Sequence, residues 1–136
     1  EKLRKDIKLY IQDKMYDSKK KCYVRNPEDK KMDISILGSV IPFRVFTPKE
    51  KKIENAIEQM NMSLRTYTGG YIRYERDKYM KGNPWVIANA WMTLYYLERG
   101  EKRMAKETWP SEMMTILLTT VMKMSLLQGI ISSFGY

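Results

Sequence analysis

Between Gly69 and Trp85 the chain reads Gly-Gly-Tyr-Ile-Arg-Tyr-Glu-Arg-Asp-Lys-Tyr-Met-Lys-Gly-Asn-Pro-Trp. This run gathers aromatic rings, guanidinium groups and carboxylates into a stretch bracketed by glycine. Such a mixture suits a sugar, whose rings stack on aromatic faces and whose hydroxyls need charged hydrogen-bond partners. Arg73 presents a rigid fork of donors. Asp77, four residues on, can accept from hydroxyls or hold that fork in place. The plainer reading of the same two residues is an ion pair that pins the loop. Trp85 opens an apolar helical run, so by residue type alone it belongs to the core before it belongs to a sugar platform. Tyr74 and Tyr79 read as packing residues.

Composition removes several chemistries. Histidine is absent, which excludes serine–histidine and cysteine–histidine catalysis within this chain. The single cysteine, Cys22, excludes an internal disulfide framework and the usual zinc clusters. No cofactor and no metal are expected. The 25 Lys+Arg against 16 Asp+Glu leave a formal charge of +9, a balance that can mark a nucleic-acid or anionic-membrane partner. Many lysines, however, lie in short runs such as Lys19, Lys20, Lys21 and Lys49, Lys51, Lys52, which read as solvated surface. Neither nucleic acid nor membrane is therefore the expected partner. Glu1 to Lys8 is too densely charged for a signal peptide, so a cytoplasmic setting is the default, and a start without Met suits a piece of something longer.

The elements that would position the loop are helical. Leu3, Ile7, Tyr10, Ile11 and Met15 recur at helical spacing and predict an amphipathic helix over about residues 2–15. Residues 16–32 are polar, with a turn at Asn26-Pro27 and one short extended piece at Cys22–Val24. Asp33 can cap a short buried helix across Ile34 to Ile41, a strand being the alternative. Thr47-Pro48-Lys49-Glu50 predicts a helix start with Thr47 as cap and Pro48 at the first helical position. That helix should reach about Asn61 and bury Ile53, Ala56, Ile57 and Met60. Asn83-Pro84 repeats the signal, with Asn83 as cap, for a broadly apolar helix stopped at Gly100; another helix begins near Glu101. Helices joined by long connections suit an α/α array whose hairpins share a core.

Three blocks of the sequence, in order, closely resemble glycoside hydrolase family 15, the glucoamylase, glucodextranase and family-15 trehalase group. Asp33-Ile34-Ser35-Ile36-Leu37, with Ile41-Pro42-Phe43-Arg44-Val45-Phe46 after it, resembles that family's Asp-Ala-Ser-Leu-Leu segment and Pro-Phe sequel. Gly69 to Asp77 is similar to Gly-Gly-Ile-x-Arg-Tyr-x-x-Asp. Gly82-Asn83-Pro84-Trp85, with Trp91, Leu94, Tyr95 and Tyr96, resembles Gly-Gly-Asn-Pro-Trp and the helix that follows it. The resemblance implies an all-α fold: a partial (α/α)6 toroid of helical hairpins, of the six-hairpin glycosidase type, over residues 1–107. It also implies an inverting α-glucosidase acting on an α-glucan oligosaccharide or trehalose with two glutamates and no metal in the chemistry. Arg73 and Asp77 match positions lining the innermost sugar site, and Trp85 matches the tryptophan of its apolar wall.

The departures from the family pattern are equally specific. The family's general acid lies upstream of the position matching residue 1. Its general base sits in a Leu-Pro-Glu-Gln segment that Pro110-Ser111-Glu112-Met113 resembles only superficially, because Glu112 comes one helix too soon. No catalytic residue is assigned. Residues 108–136 form an atypical hydrophobic tail, with Lys123 the one charge across 113–134. An aberrant fusion or out-of-frame product, a buried helix and a membrane anchor are the alternatives; Lys123 would be costly at a bilayer centre. The chain is thus expected to be an inactive fragment of an α-glucosidase. The other function classes are a basic helical nucleic-acid-binding module using Tyr71, Tyr74 and Tyr79, and a non-catalytic remnant that complements a separately encoded N-terminal half.

Overall fold

In the computed structural model, which describes residues 2–67, 69–78 and 82–108, helices dominate. The order is α1 (Lys2–Lys14), strands β1 (Tyr16–Asp17) and β2 (Cys22–Tyr23), a 3₁₀ helix (Ile34–Ser39), α2 (Lys51–Ser63), α3 (Val86–Glu98) and α4 (Lys102–Thr108). Among the described residues, many helices and one minimal strand pair are compatible with an all-α glycosidase fold. Residues 109–136, which hold the Glu112 segment and all of the hydrophobic tail but Thr108, lie outside the described residues. Among those described, no helix is long and apolar enough to cross a membrane.

β1 and β2 pair antiparallel, Tyr16 opposite Tyr23 and Asp17 opposite Cys22. Their turn is closed by the Asp17 carboxylate, which accepts the backbone N–H groups of Lys19 and Lys20 at 2.9 and 2.8 Å. Cys22, Tyr23 and Val24 are fully buried and carry the hairpin into the core. The apolar run after Asp33 becomes a 3₁₀ helix, and the Asp33 carboxylate accepts the Ser35 N–H at 2.9 Å, the capping role its position predicts. Ile34, Ile36 and Leu37 fill the space beneath it.

Two helix starts differ from the sequence reading, for tertiary reasons. Helix α2 begins at Lys51 with Glu50 as N-cap, not at Pro48 behind a Thr47 cap. Thr47 instead receives the Glu50 N–H on its carbonyl at 3.1 Å, and the Pro48 carbonyl accepts the Tyr95 hydroxyl at 3.2 Å. The Glu50 carboxylate accepts from the Tyr23 hydroxyl, 3.3 Å away, rather than closing a capping box. Helix α3 begins at Val86 with Trp85 as N-cap, two residues past Asn83. There the Trp85 N–H donates to the Tyr71 carbonyl at 2.8 Å, which holds Trp85 extended at the helix entrance.

Helix interiors agree better with the pattern. Ile53, Ala56, Ile57 and Met60 of α2 are buried together, and Gly100, at φ +77, ends α3 and turns the chain into α4. Tyr71, Tyr95 and Tyr96 pack with Met92, Ala88 and Ala105 in the same core. Helix α1 forms where its periodicity predicts but buries no residue completely; Leu3 remains 71% exposed. Its apolar stripe meets no full helical layer among the described residues.

Candidate functional site

The loop of interest is stitched on both sides. On one side Tyr74 bridges Asp33: the Ile34 N–H donates to the Arg73 carbonyl at 2.8 Å and the Glu75 N–H to the Met32 carbonyl at 3.0 Å. The Glu75 carboxylate also accepts the Met32 N–H at 2.9 Å. On the other side Tyr71 bridges Arg65, and the Ile72 N–H reaches the Leu64 carbonyl at 3.0 Å. The Tyr71 N–H donates to the Asn89 side-chain oxygen at 2.8 Å, so the first turn of α3 grips the loop twice, through Asn89 and through Trp85. Gly70 makes this approach possible, since a Cβ there would lie 2.5 Å from the Pro84 Cβ.

Held in this way, Arg73 and Trp85 face one cavity of about 380 Å³. Tyr74, Trp91, Arg25 and Asp33 complete most of its wall. The Arg73 guanidinium carbon lies 4.8 Å from the Trp85 ring centroid and 4.7 Å from that of Tyr74. Cation–π contacts of this kind contribute on the order of 0.5–2 kcal/mol each. Arg73 Nε is 3.7 Å from Asp77 Oδ2, with the arginine side chain 45% exposed and the aspartate 2%. Asp77 is not among the cavity-lining residues. What the structure shows for Asp77 is its ion pair with Arg73.

Arg25 was not singled out in the sequence; Tyr74, read there as a packing residue, and Asp33, read as a cap and as the start of the first family-like block, line the cavity with it. Tyr74 is half-buried in the cavity wall, with the Arg25 guanidinium carbon 4.4 Å from its ring centroid. Trp91 follows Ala88 by three residues in α3 and so shares its helix face, and both line the cavity. Nothing local marks Arg25, which reaches the cavity from the turn after β2. Tyr79 lies outside the described residues. Tyr71 is 1% exposed and donates its hydroxyl to Asn61 at 2.5 Å, so its ring cannot stack on a nucleobase as the nucleic-acid alternative requires.

The wall is made chiefly of aromatic faces and guanidinium groups. Asp33 is the one carboxylate among the described lining residues; its Oδ1 accepts the Ser35 N–H at 2.9 Å and its Oδ2 lies 3.5 Å from Arg25 Nε. A second carboxylate on the opposite side of a bound bond, as inversion needs, is not present among them.

No family model matches the chain. Over 71 residues it is 38% identical to an uncharacterized glycosyl hydrolase of Methanocaldococcus jannaschii, a match covering 52% of this chain and 12% of that protein. A solved structure described as "Glycosidase Wild Type" superposes with a TM-score of 0.69 at 17% identity, covering 76% of this chain and 27% of that one. The chain is similar to glycosidases. It matches only about an eighth of the length of the archaeal relative and about a quarter of that solved glycosidase. At 17% identity the second match carries the fold alone.

Proposed function

We propose that the chain is part of an inverting α-glucosidase of glycoside hydrolase family 15, and that it supplies the sugar-binding loop rather than the catalytic pair. The observation that carries this reading is the shared cavity of Arg73 and Trp85, backed by Trp91. The ligand is an α-glucan oligosaccharide or trehalose. An aromatic wall stacks on the sugar ring while the guanidinium fork meets its hydroxyls. Asp77 keeps that fork oriented from behind. Each arginine of the wall has its own carboxylate, Asp29 and Asp33 beside Arg25 and Asp77 beside Arg73, which favours a neutral polyol over an anion. The glycosidase relative and the glycosidase fold support the class of ligand.

The test is titration of the full chain with glucose, maltose and trehalose, followed by tryptophan emission, because Trp85 and Trp91 both line the cavity. Saturable binding that is insensitive to salt and lost in Arg73→Ala is expected, with no release of glucose from maltose or trehalose. Turnover by the purified chain would overturn the assignment of a purely binding role. Steeply salt-dependent binding of single-stranded DNA, without sugar binding, would favour the nucleic-acid alternative instead.

A further inference from the structure

We infer that Arg25 is a second ligand-contacting guanidinium of this site, and that it meets the sugar unit beyond the one held by Arg73 and Trp85. The inference rests on the reading of the cavity as a sugar site. Arg25 shares the Tyr74 ring with Arg73, their guanidinium carbons 4.4 and 4.7 Å from its centroid. It therefore belongs to the same wall, although 48 residues separate the two arginines in sequence.

Three features distinguish Arg25 from a structural pin. Its ion pairs, Nη1 to Asp29 and Nε to Asp33, are both 3.5 Å long, beyond the usual N–H···O range, so its donors are oriented without being consumed. Its backbone is fixed: the Arg25 N–H donates to the Lys31 carbonyl at 3.0 Å, and the Asn26 side chain closes the turn by accepting from Glu28 and Asp29 at 2.9 and 2.7 Å. A fork held in this way loses little freedom when a ligand arrives. Its position is at the mouth, because Arg25, Ser35 and Trp91 line both the cavity and an adjoining groove of about 670 Å³. A second ring leaving the cavity would pass between the Trp91 face and the Arg25 fork.

The measurement compares glucose with maltose on the full chain, for wild type and for Arg25→Gln, Arg25→Lys and Arg73→Ala, with thermal melting of each variant. Lysine keeps the charge and the cation–π contact but not the fork, so it separates ligand recognition from loop pinning. Both Arg25 variants are expected to weaken maltose binding about tenfold and to leave glucose binding within about twofold. Arg73→Ala is expected to weaken both sugars. Maltose affinity unchanged in Arg25→Gln would overturn the inference while leaving the sugar-site reading intact. Equal loss of both sugars with a lowered melting temperature, restored by lysine, would make Arg25 a structural pin. Absence of any sugar binding by the wild type would remove the underlying reading, and this one with it.

Discussion

Asp77 shows how residue type and residue position divide the work at this site. Its carboxylate is chemically able to receive sugar hydroxyls, but it sits buried, outside the cavity wall, with Arg73 Nε at 3.7 Å. On the proposed reading its contribution to binding is indirect, through the direction in which the guanidinium points. Asp77→Asn keeps the shape and removes the charge, so sugar affinity should fall by about three- to tenfold through a less ordered Arg73. Calorimetric titration of maltose checks this. Affinity equal to wild type would show that the Tyr74 and Trp85 rings alone orient the arginine. Arg73 and Trp85, which both line one cavity, were singled out in the sequence through the resemblance to glycoside hydrolase family 15. Arg25 was not, because its partner Tyr74 is distant in the chain and no local pattern encodes that contact.

At the scale of elements, the loop's placement depends on the entrance to α3. Asn89 and Trp85 both bond the backbone of Tyr71, and Gly70 lies flush against the rigid Pro84 ring. A methyl group at Gly70 meets the Pro84 Cβ at 2.5 Å, and a proline ring cannot swing aside. Gly70→Ala should therefore destabilise the fold by about 1–3 kcal/mol, read as a lower urea midpoint. An unchanged midpoint would mean that this contact relaxes without cost. The same entrance explains why the Asn83-Pro84 signal misplaced the helix start. Capping preferences are worth about 1 kcal/mol, and a backbone bond from Trp85 to a distant carbonyl competes on equal terms. Buried faces were better read, since the 3.6-residue period of α2 states which side chains must leave water whatever the neighbours are.

For the molecule as a whole, the core is rich in groups that resist ionisation. Burial pushes the Cys22 thiol up to about 11 and the Tyr95 phenol up to about 12. Burial also raises Tyr23 and Tyr71, in which the Glu50 carboxylate and Tyr96 respectively add to the shift. A raised folded-state value means that the native state holds its proton more tightly than the unfolded chain does. The associated stability is fully present below the unfolded values of about 9 to 10, and is lost as pH rises through the folded values. Urea midpoints should be level from pH 7 to 9 and fall by pH 11. A midpoint that is unchanged at pH 11.5 would contradict the burial of these groups.

By itself the sequence determined the helical class, the core face of α2, the Asp33 cap, the Gly100 stop and the aromatic and charged make-up of the Gly69–Trp85 loop. These follow from periodicity, backbone preference and side-chain type, which act over a few residues. Only the tertiary structure decided where α2 and α3 begin, that Asp77 lies outside the cavity wall, that Tyr71 is sealed inside, and that Arg25 joins Arg73 at one ring. Each of those depends on a hydrogen bond or packing contact between segments whose separation in the chain is unrelated to their distance in space.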